Sequence, residues 1–163
     1  MAGNNIASFL HGLTGPAIHI VFPLGLSILI GLNPVIAVFC GILPDMVDKP
    51  LSLLGIGGGR FIGHTLLFGL AVVILFFIWK RKYGFSALLG ITSHFVLDLG
   101  YFVPWFYPFK QYVFPHERLG IIEYLKTYFS LKELGFEIIA GILVLGLAII
   151  FRRLISTYFN NRR

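Results

Sequence analysis

Long apolar runs, separated by breaks and basic clusters, dominate the chain. A run of about 20 apolar residues is long enough to cross a bilayer as a helix. The pattern predicts an all-α, polytopic membrane protein with a single membrane-embedded domain over residues 1–163. Its three full spans are predicted at residues 61–79, 85–102 and 134–151. Residues 119–129 carry an apolar stripe at helical spacing, which predicts an interfacial helix lying on the membrane.

An earlier apolar run, residues 17–43, allows two arrangements. As one kinked span it would be about 40 Å long, which places His19 and Asp45 on opposite faces of the membrane. As a helical hairpin turning at residues 31–34, it would be shallow or re-entrant and would place both side chains on the same face. Length alone slightly favours the single span, and Pro44 is predicted to end the helix.

Composition supports a membrane protein, because 57% of the residues are hydrophobic and only 12% are charged. A soluble domain carries about 25% charged residues. The net charge of +6 is better explained by cytoplasmic loops and anionic lipid than by nucleic acid. The start of the chain has no basic region, so we expect no cleavable signal peptide. The single cysteine, Cys40, excludes an internal disulfide and is expected to be a packing residue.

Basic residues close two of the apolar runs, at residues 80–82 and 152–153. Short loops rich in lysine and arginine mark the cytoplasmic side of a membrane protein. We therefore expect a cytoplasmic C-terminus. The opposite end, with Asp45, is expected to face the extracytoplasmic side.

The few polar residues inside these runs are the candidate functional residues. Two of the seven acidic residues, Asp45 and Asp48, lie three apart after a long apolar run. His94 and Asp98 are four apart, and hence share a helix face. Charged groups in a membrane are costly, so such residues indicate a functional site. The start of the 61–79 span and the end of the 85–102 span lie on one side, which allows these residues to meet His64.

Histidine nitrogens and carboxylate oxygens together suit a divalent metal ion, with zinc the first choice and manganese or magnesium as alternatives. The predicted metal ligands are His19, Asp45, His64, His94 and Asp98. The predicted catalytic residues are Asp45, Asp48 and Arg60, with Arg60 stabilising developing negative charge. The glycines at 57–59 indicate either a flexible linker or a close approach of the backbone to an anion that Arg60 clamps.

Four segments in order carry a resemblance to a known family. They are His19, Leu-Pro-Asp-Met-Val-Asp at 43–48, Gly-Arg-Phe-Ile-Gly-His-Thr-Leu-Leu at 59–67 and Ser-His-Phe-Val-Leu-Asp at 93–98. With the proline- and aromatic-rich segment 104–109, they resemble the YdjM-type family of inner-membrane, metal-dependent hydrolases.

The resemblance implies a reaction class and no substrate. It favours the hairpin, because His19 belongs to the motif set. The family pattern has Pro-Asp-x-Asp followed by His, whereas here Asp48 comes one residue later and Lys49 follows it. The coordinating role of Asp48 is therefore open.

We predict a hydrolase that acts on a phosphate ester of a lipid or polyprenyl substrate at the extracytoplasmic interface. Membrane lipid is the expected partner, no nucleic acid is expected, and the oligomeric state is left open. An ion- or proton-coupled transporter that uses the buried histidine and aspartate pairs is one alternative. A non-enzymatic regulatory or binding membrane protein is the other.

Overall fold

The computed structural model describes residues 16–99, 101–114 and 131–160, and all regular structure in these ranges is helical. The all-α prediction is therefore confirmed. The predicted interfacial helix at 119–129 lies outside the described residues. The helices are α1 (Pro16–Ile30), α2 (Pro34–Leu53), α3 (Leu66–Trp79), α4 (Arg81–Leu97) and α5 (Leu131–Asn160), with a 3-10 turn at Gly57–Gly59.

Across the described ranges, no helix combines the length and the apolar character that crossing a membrane requires. The three full spans remain a prediction.

The first apolar run forms a hairpin, and the single kinked span is the wrong alternative. Gly31 adopts a positive φ of 74° in the turn between α1 and α2, a conformation that glycine reaches without steric cost. Asn33 caps α2, because its side-chain oxygen accepts a hydrogen bond from the backbone of Ile36 at 3.1 Å. The backbone N–H of Asn33 donates to Ser86 Oγ at 3.0 Å and ties the turn to α4. Specific turn chemistry therefore decides an arrangement that length alone could not.

Helix α2 continues through Pro44 to Leu53, so the predicted helix end at Pro44 is wrong. A proline inside a helix removes one hydrogen bond and crowds the carbonyl four residues earlier. Pro44 is fully buried, and its carbonyl oxygen lies next to Gly63 of the segment before α3. The extension carries Asp45 and Asp48 on the helix itself.

The predicted spans at 61–79 and 85–102 differ from the observed helices at their ends. Helix α3 begins only at Leu66, where Thr65 Oγ1 accepts a hydrogen bond from Phe68 at 3.0 Å. His64 therefore precedes the helix instead of lying in its first turn. Helix α4 spans Arg81–Leu97, with Asp98 as its C-cap. Both shifts follow from capping and side-chain contacts that hydropathy does not register.

Helix α4 packs against α1, α2 and α3. A Cβ at Gly90 would run into the carbonyl oxygen of Ala37 and come within 2.9 Å of Cys40 Cβ, so α2 and α4 approach closely at this glycine. One turn further on, His94 reaches Gly41 of α2. The apolar core where α2, α3 and α4 meet consists of Cys40, Val72, Val73, Ala87, Ile91 and Phe95.

The helix directions give the bundle two different ends. Helix α2 runs parallel to α4, because its start contacts Ser86 and Gly41 contacts His94. Helix α5 runs parallel to α1, because Val21 lies beside Gly141 and Gly25 beside Val144. The basic clusters at 80–82 and 152–153 therefore lie at the end of the hairpin turn. The histidines and aspartates meet toward the other end.

Candidate metal centre

Four separate segments bring all seven predicted site residues together. Helix α1 contributes His19, and α2 contributes both aspartates of the 43–48 motif. The segment before α3 contributes Arg60 and His64, and the end of α4 contributes His94 and Asp98. Five of the seven are buried: His19, Asp48, His64, His94 and Asp98.

The Nε2 atom of His64 lies at the centre of the cluster. It is 3.1 Å from His94 Nε2, 3.2 Å from an Asp98 carboxylate oxygen and 3.5 Å from Asp45 Oδ1. His19 completes the cluster from α1, with its Nε2 3.7 Å from Asp98 Oδ1 and its ring 4.4 Å from that of His94. One small volume is thus lined by imidazole nitrogens and carboxylate oxygens.

These groups form two overlapping sets that suit a metal ion. One set is His19, His94 and Asp98, and the other is Asp45, His64 and His94. Within each set the ligand atoms lie within 4.8 Å of one another. Together the sets contain all five predicted metal ligands.

The contacts of the His64 and His94 Nδ1 atoms determine whether the Nε2 atoms, which face into the cluster, carry a proton. His94 Nδ1 lies 2.7 Å from the carbonyl oxygen of Gly41. Because a carbonyl only accepts hydrogen bonds, this nitrogen carries the proton. His64 Nδ1 lies 2.7 Å from Asp48 Oδ2, which is also an acceptor. In the neutral rings, both Nε2 atoms therefore point lone pairs into the cluster.

Asp48 lies behind His64 and does not face the cluster. Its carboxylate accepts hydrogen bonds from the backbone N–H groups of Phe61, Gly63 and His64 at 2.6, 2.8 and 3.1 Å. A Cβ at Gly63 would lie 2.5 Å from the carbonyl oxygen of Pro44. Only glycine therefore lets this segment approach α2 so closely.

Arg60 pairs with Asp98 through two parallel hydrogen bonds, from Nε and Nη2, each 2.9 Å long. Its guanidinium also lies over the ring of Tyr101, 4.4 Å from the ring centre. The glycines of Gly57–Gly59 form a 3-10 turn with positive φ at each position and pack against α2. A role for this turn toward an anion stays a prediction.

Asp45 is the most exposed acid of the cluster, with 25% of its side chain accessible. It also contacts Lys49 Nζ at 3.3 Å, one helical turn later. This is consequently the side from which a substrate could reach the cluster.

Sequence reasoning missed the contributions of Gly41 and Tyr101. The first acts through a backbone carbonyl, which has no sequence signal of its own. The second follows Asp98 closely, but an aromatic residue at that place looks like any other ring of the segment after α4. Gly63 stood inside the quoted motif, although its packing role was not recognised.

Comparison with known proteins places the chain in a family. A family model described as YdjM inner membrane protein matches residues 7–161. No curated protein and no solved structure matches the chain.

Proposed function

Since the chain belongs to the YdjM inner membrane protein family, we propose that it is a membrane-bound, metal-dependent hydrolase. The proposed substrate is a phosphate ester of a lipid or polyprenyl alcohol, and the proposed site faces the extracytoplasmic interface. Zinc is the proposed metal, with manganese or magnesium as alternatives.

The observation that carries the proposal is the 3.1 Å separation of the two Nε2 atoms of His64 and His94. In both rings Nδ1 donates its proton to an acceptor outside the cluster, which is Asp48 for His64 and the Gly41 carbonyl for His94. Lone pairs from two imidazoles and from the Asp98 carboxylate then converge, and buried acceptors that face one another are stabilised by a proton or a metal ion between them. A proton on one ring satisfies a single contact, whereas a divalent ion satisfies several at once.

The donor set fits a catalytic metal site. Each set offers three protein ligands of nitrogen and oxygen type, and catalytic zinc sites use three protein ligands with one position left open. A zinc ion held by these residues would supply a water of lowered pKa and a Lewis acid for a phosphoryl oxygen. A single ion would take its ligands from the five residues of the two sets: His19, Asp45, His64, His94 and Asp98.

Asp45 and Arg60 have further roles in this proposal. Asp45, also a candidate ligand, lies on the accessible side and is placed to accept a proton from the attacking water. Arg60 holds Asp98 and supplies positive charge close to the cluster, where a phosphate would bind.

The surroundings of the site favour an amphiphilic substrate. Large apolar side chains are exposed on the segments next to the cluster: Leu54, Ile62, Leu99, Phe102, Phe106 and Phe109. Membership of an inner-membrane family agrees with such a surface lying in lipid. A substrate with a hydrocarbon tail and a phosphate head matches both features.

Metal analysis of the purified protein tests the proposal. We expect about one zinc or manganese ion per chain in the native protein, as in mononuclear hydrolases. His64→Ala, His94→Ala and Asp98→Ala should each lose the metal and the hydrolysis of a lipid phosphate ester. Thr92→Ala is the matched control, since this exposed residue lies on α4 two positions before His94 and should retain both.

A native protein that binds no metal at micromolar supply would exclude the hydrolase. Full metal content in all three alanine variants would exclude it as well. Ion or proton transport would then be the better explanation of a buried histidine and aspartate cluster. Ion flux in proteoliposomes measures that activity directly.

A further inference from the structure

We infer that Asp48 is a positioning residue, which holds the His64 ring so that Nε2 faces the cluster, and that Asp48 binds neither metal nor substrate itself. The inference rests on the proposed metal site for its consequence, but its geometry stands independently. It assigns different roles to the two acids of the 43–48 motif.

Hydrogen bonds and burial direct the Asp48 carboxylate toward residues 61–64 and away from solvent. Oδ1 accepts from the backbone of Gly63, and Oδ2 accepts from the backbones of Phe61 and His64. Oδ2 also contacts His64 Nδ1 at 2.7 Å. An ionised carboxylate offers about two acceptor sites on each oxygen, so the three contacts saturate Oδ2, and Oδ1 is turned to the backbone of Gly63. The side chain is 0% exposed, which denies access to a substrate.

Asp45 and Asp48 bracket the His64 ring from opposite sides. Asp48 contacts Nδ1, whereas Asp45 Oδ1 lies 3.5 Å from Nε2. Asp45 is also 25% exposed. Three residues apart on α2, the two carboxylates therefore meet different nitrogens of the same imidazole. Only the nitrogen on the Asp45 side faces the other candidate ligands.

A carboxylate at the outer nitrogen of a ligand histidine fixes its tautomer and ring orientation, and its loss typically lowers metal affinity about 10- to 100-fold. Here the same carboxylate also accepts hydrogen bonds from three backbone N–H groups of residues 61–64. These contacts fix the segment that precedes α3 and so place His64 at the site. Asp48 consequently controls both the position and the protonation of one ligand.

The direct test is the tautomer of His64 in metal-free native protein. In ¹⁵N-histidine-labelled protein, at a pH at which the His64 ring is neutral, we expect nuclear magnetic resonance to place its proton on Nδ1 and to find Nε2 unprotonated. The signal is assigned by its loss in His64→Gln. A neutral ring that carries its proton on Nε2 would overturn the inference.

Cobalt substitution compares the two acids. In Asp48→Asn we expect Co²⁺ to bind about 10- to 100-fold more weakly, with unchanged visible absorption bands at saturation because the ligands are the same. In Asp45→Asn the bands should shift, because one ligand of a set is altered. Shifted bands in Asp48→Asn with native bands in Asp45→Asn would contradict these assignments.

The two experiments keep the inference and the proposed function apart. Native protein that binds no metal but carries the His64 proton on Nδ1 would end the hydrolase proposal and leave the positioning role in place. If Asp48→Asn does not fold, the tautomer of the native protein decides.

Discussion

At the residue scale, Arg60 supports the candidate ligand Asp98 without being a ligand itself. The guanidinium bonds both carboxylate oxygens of Asp98, yet Arg60 belongs to neither ligand set. Its side chain is 20% exposed, whereas the Asp98 carboxylate is 2% exposed. Arg60 is thus partly accessible and places positive charge beside the cluster, where it could attract an anion.

We predict that Arg60→Ala keeps the metal and binds an anion more weakly. Removing the guanidinium takes away positive charge beside the cluster without removing a ligand atom. Metal content should equal that of native protein, while inhibition by inorganic phosphate should require roughly 10-fold more phosphate, the loss of one charge-assisted contact. Arg60→Lys is the matched control for charge. It should restore phosphate inhibition only in part, because an ammonium keeps the charge but does not bond both carboxylate oxygens of Asp98 in parallel. Loss of metal in Arg60→Ala would show that the pair serves the ligand set instead.

The residues of the site could be identified from sequence, but which of their atoms face into the cluster could not. The cost of charge in an apolar chain singled out His64, His94 and Asp98 without any structure. Which nitrogen of His64 faces inward depends on Asp48, and therefore on how residues 61–64 fold against α2. That is tertiary information. The sequence pattern accordingly left the role of Asp48 open.

At the element scale, the approach of α2 to α4 decides whether the site can assemble. Gly90 stands at their closest contact, and His94 follows one turn later with its hydrogen bond to Gly41. The position of His94 thus depends on an interhelical distance that one methyl group would change.

We predict that Gly90→Ala destabilises the protein by about 1–3 kcal/mol, the usual cost of overpacking. The added Cβ would meet the carbonyl oxygen of Ala37, and a backbone atom cannot move aside as a side chain can. Metal affinity should fall as well, since α4 carries His94 away from α2. Thermal unfolding in detergent measures the first effect and metal titration the second.

Gly146→Ala is the control for this prediction. A Cβ at Gly146 on α5 would meet nothing within 4 Å, so the change should be neutral or stabilise the helix by up to about 1 kcal/mol. Equal melting temperatures for both variants would mean that the α2–α4 contact is not tightly packed.

The helices themselves were easier to predict than their ends. Apolar runs located every described helix, because burying or shielding apolar residues is what these segments share. The ends follow local partners that hydropathy cannot see, such as Thr65 capping α3 and Asn33 capping α2. The prediction that the helix ends at Pro44 was wrong for a related reason. Sequence shows the cost of a proline inside a helix but not that this proline is fully buried.

At the scale of the whole molecule, the two basic clusters and the histidine and aspartate cluster lie at opposite ends of the bundle. Helix α3 and helix α5 both run away from the histidine and aspartate cluster, so the basic residues at 80–82 and 152–153 share the opposite end. The single cysteine, Cys40, is fully buried in the core where α2, α3 and α4 meet. A cytoplasmic location of the basic end stays a prediction, based on the distribution of lysine and arginine.

We predict that the site end faces the extracytoplasmic side of the membrane. In a Cys40→Ala background, Gln111→Cys should react with a membrane-impermeant maleimide in intact cells, because position 111 is exposed on the segment that follows α4 at the site end. Lys82→Cys, equally exposed at the basic end, should react only after the membrane is permeabilised. Labelling at 82 but not at 111 in intact cells would invert the orientation and place the proposed hydrolysis on the cytoplasmic side. Labelling at both positions would show that the basic and site ends are not separated by a membrane barrier.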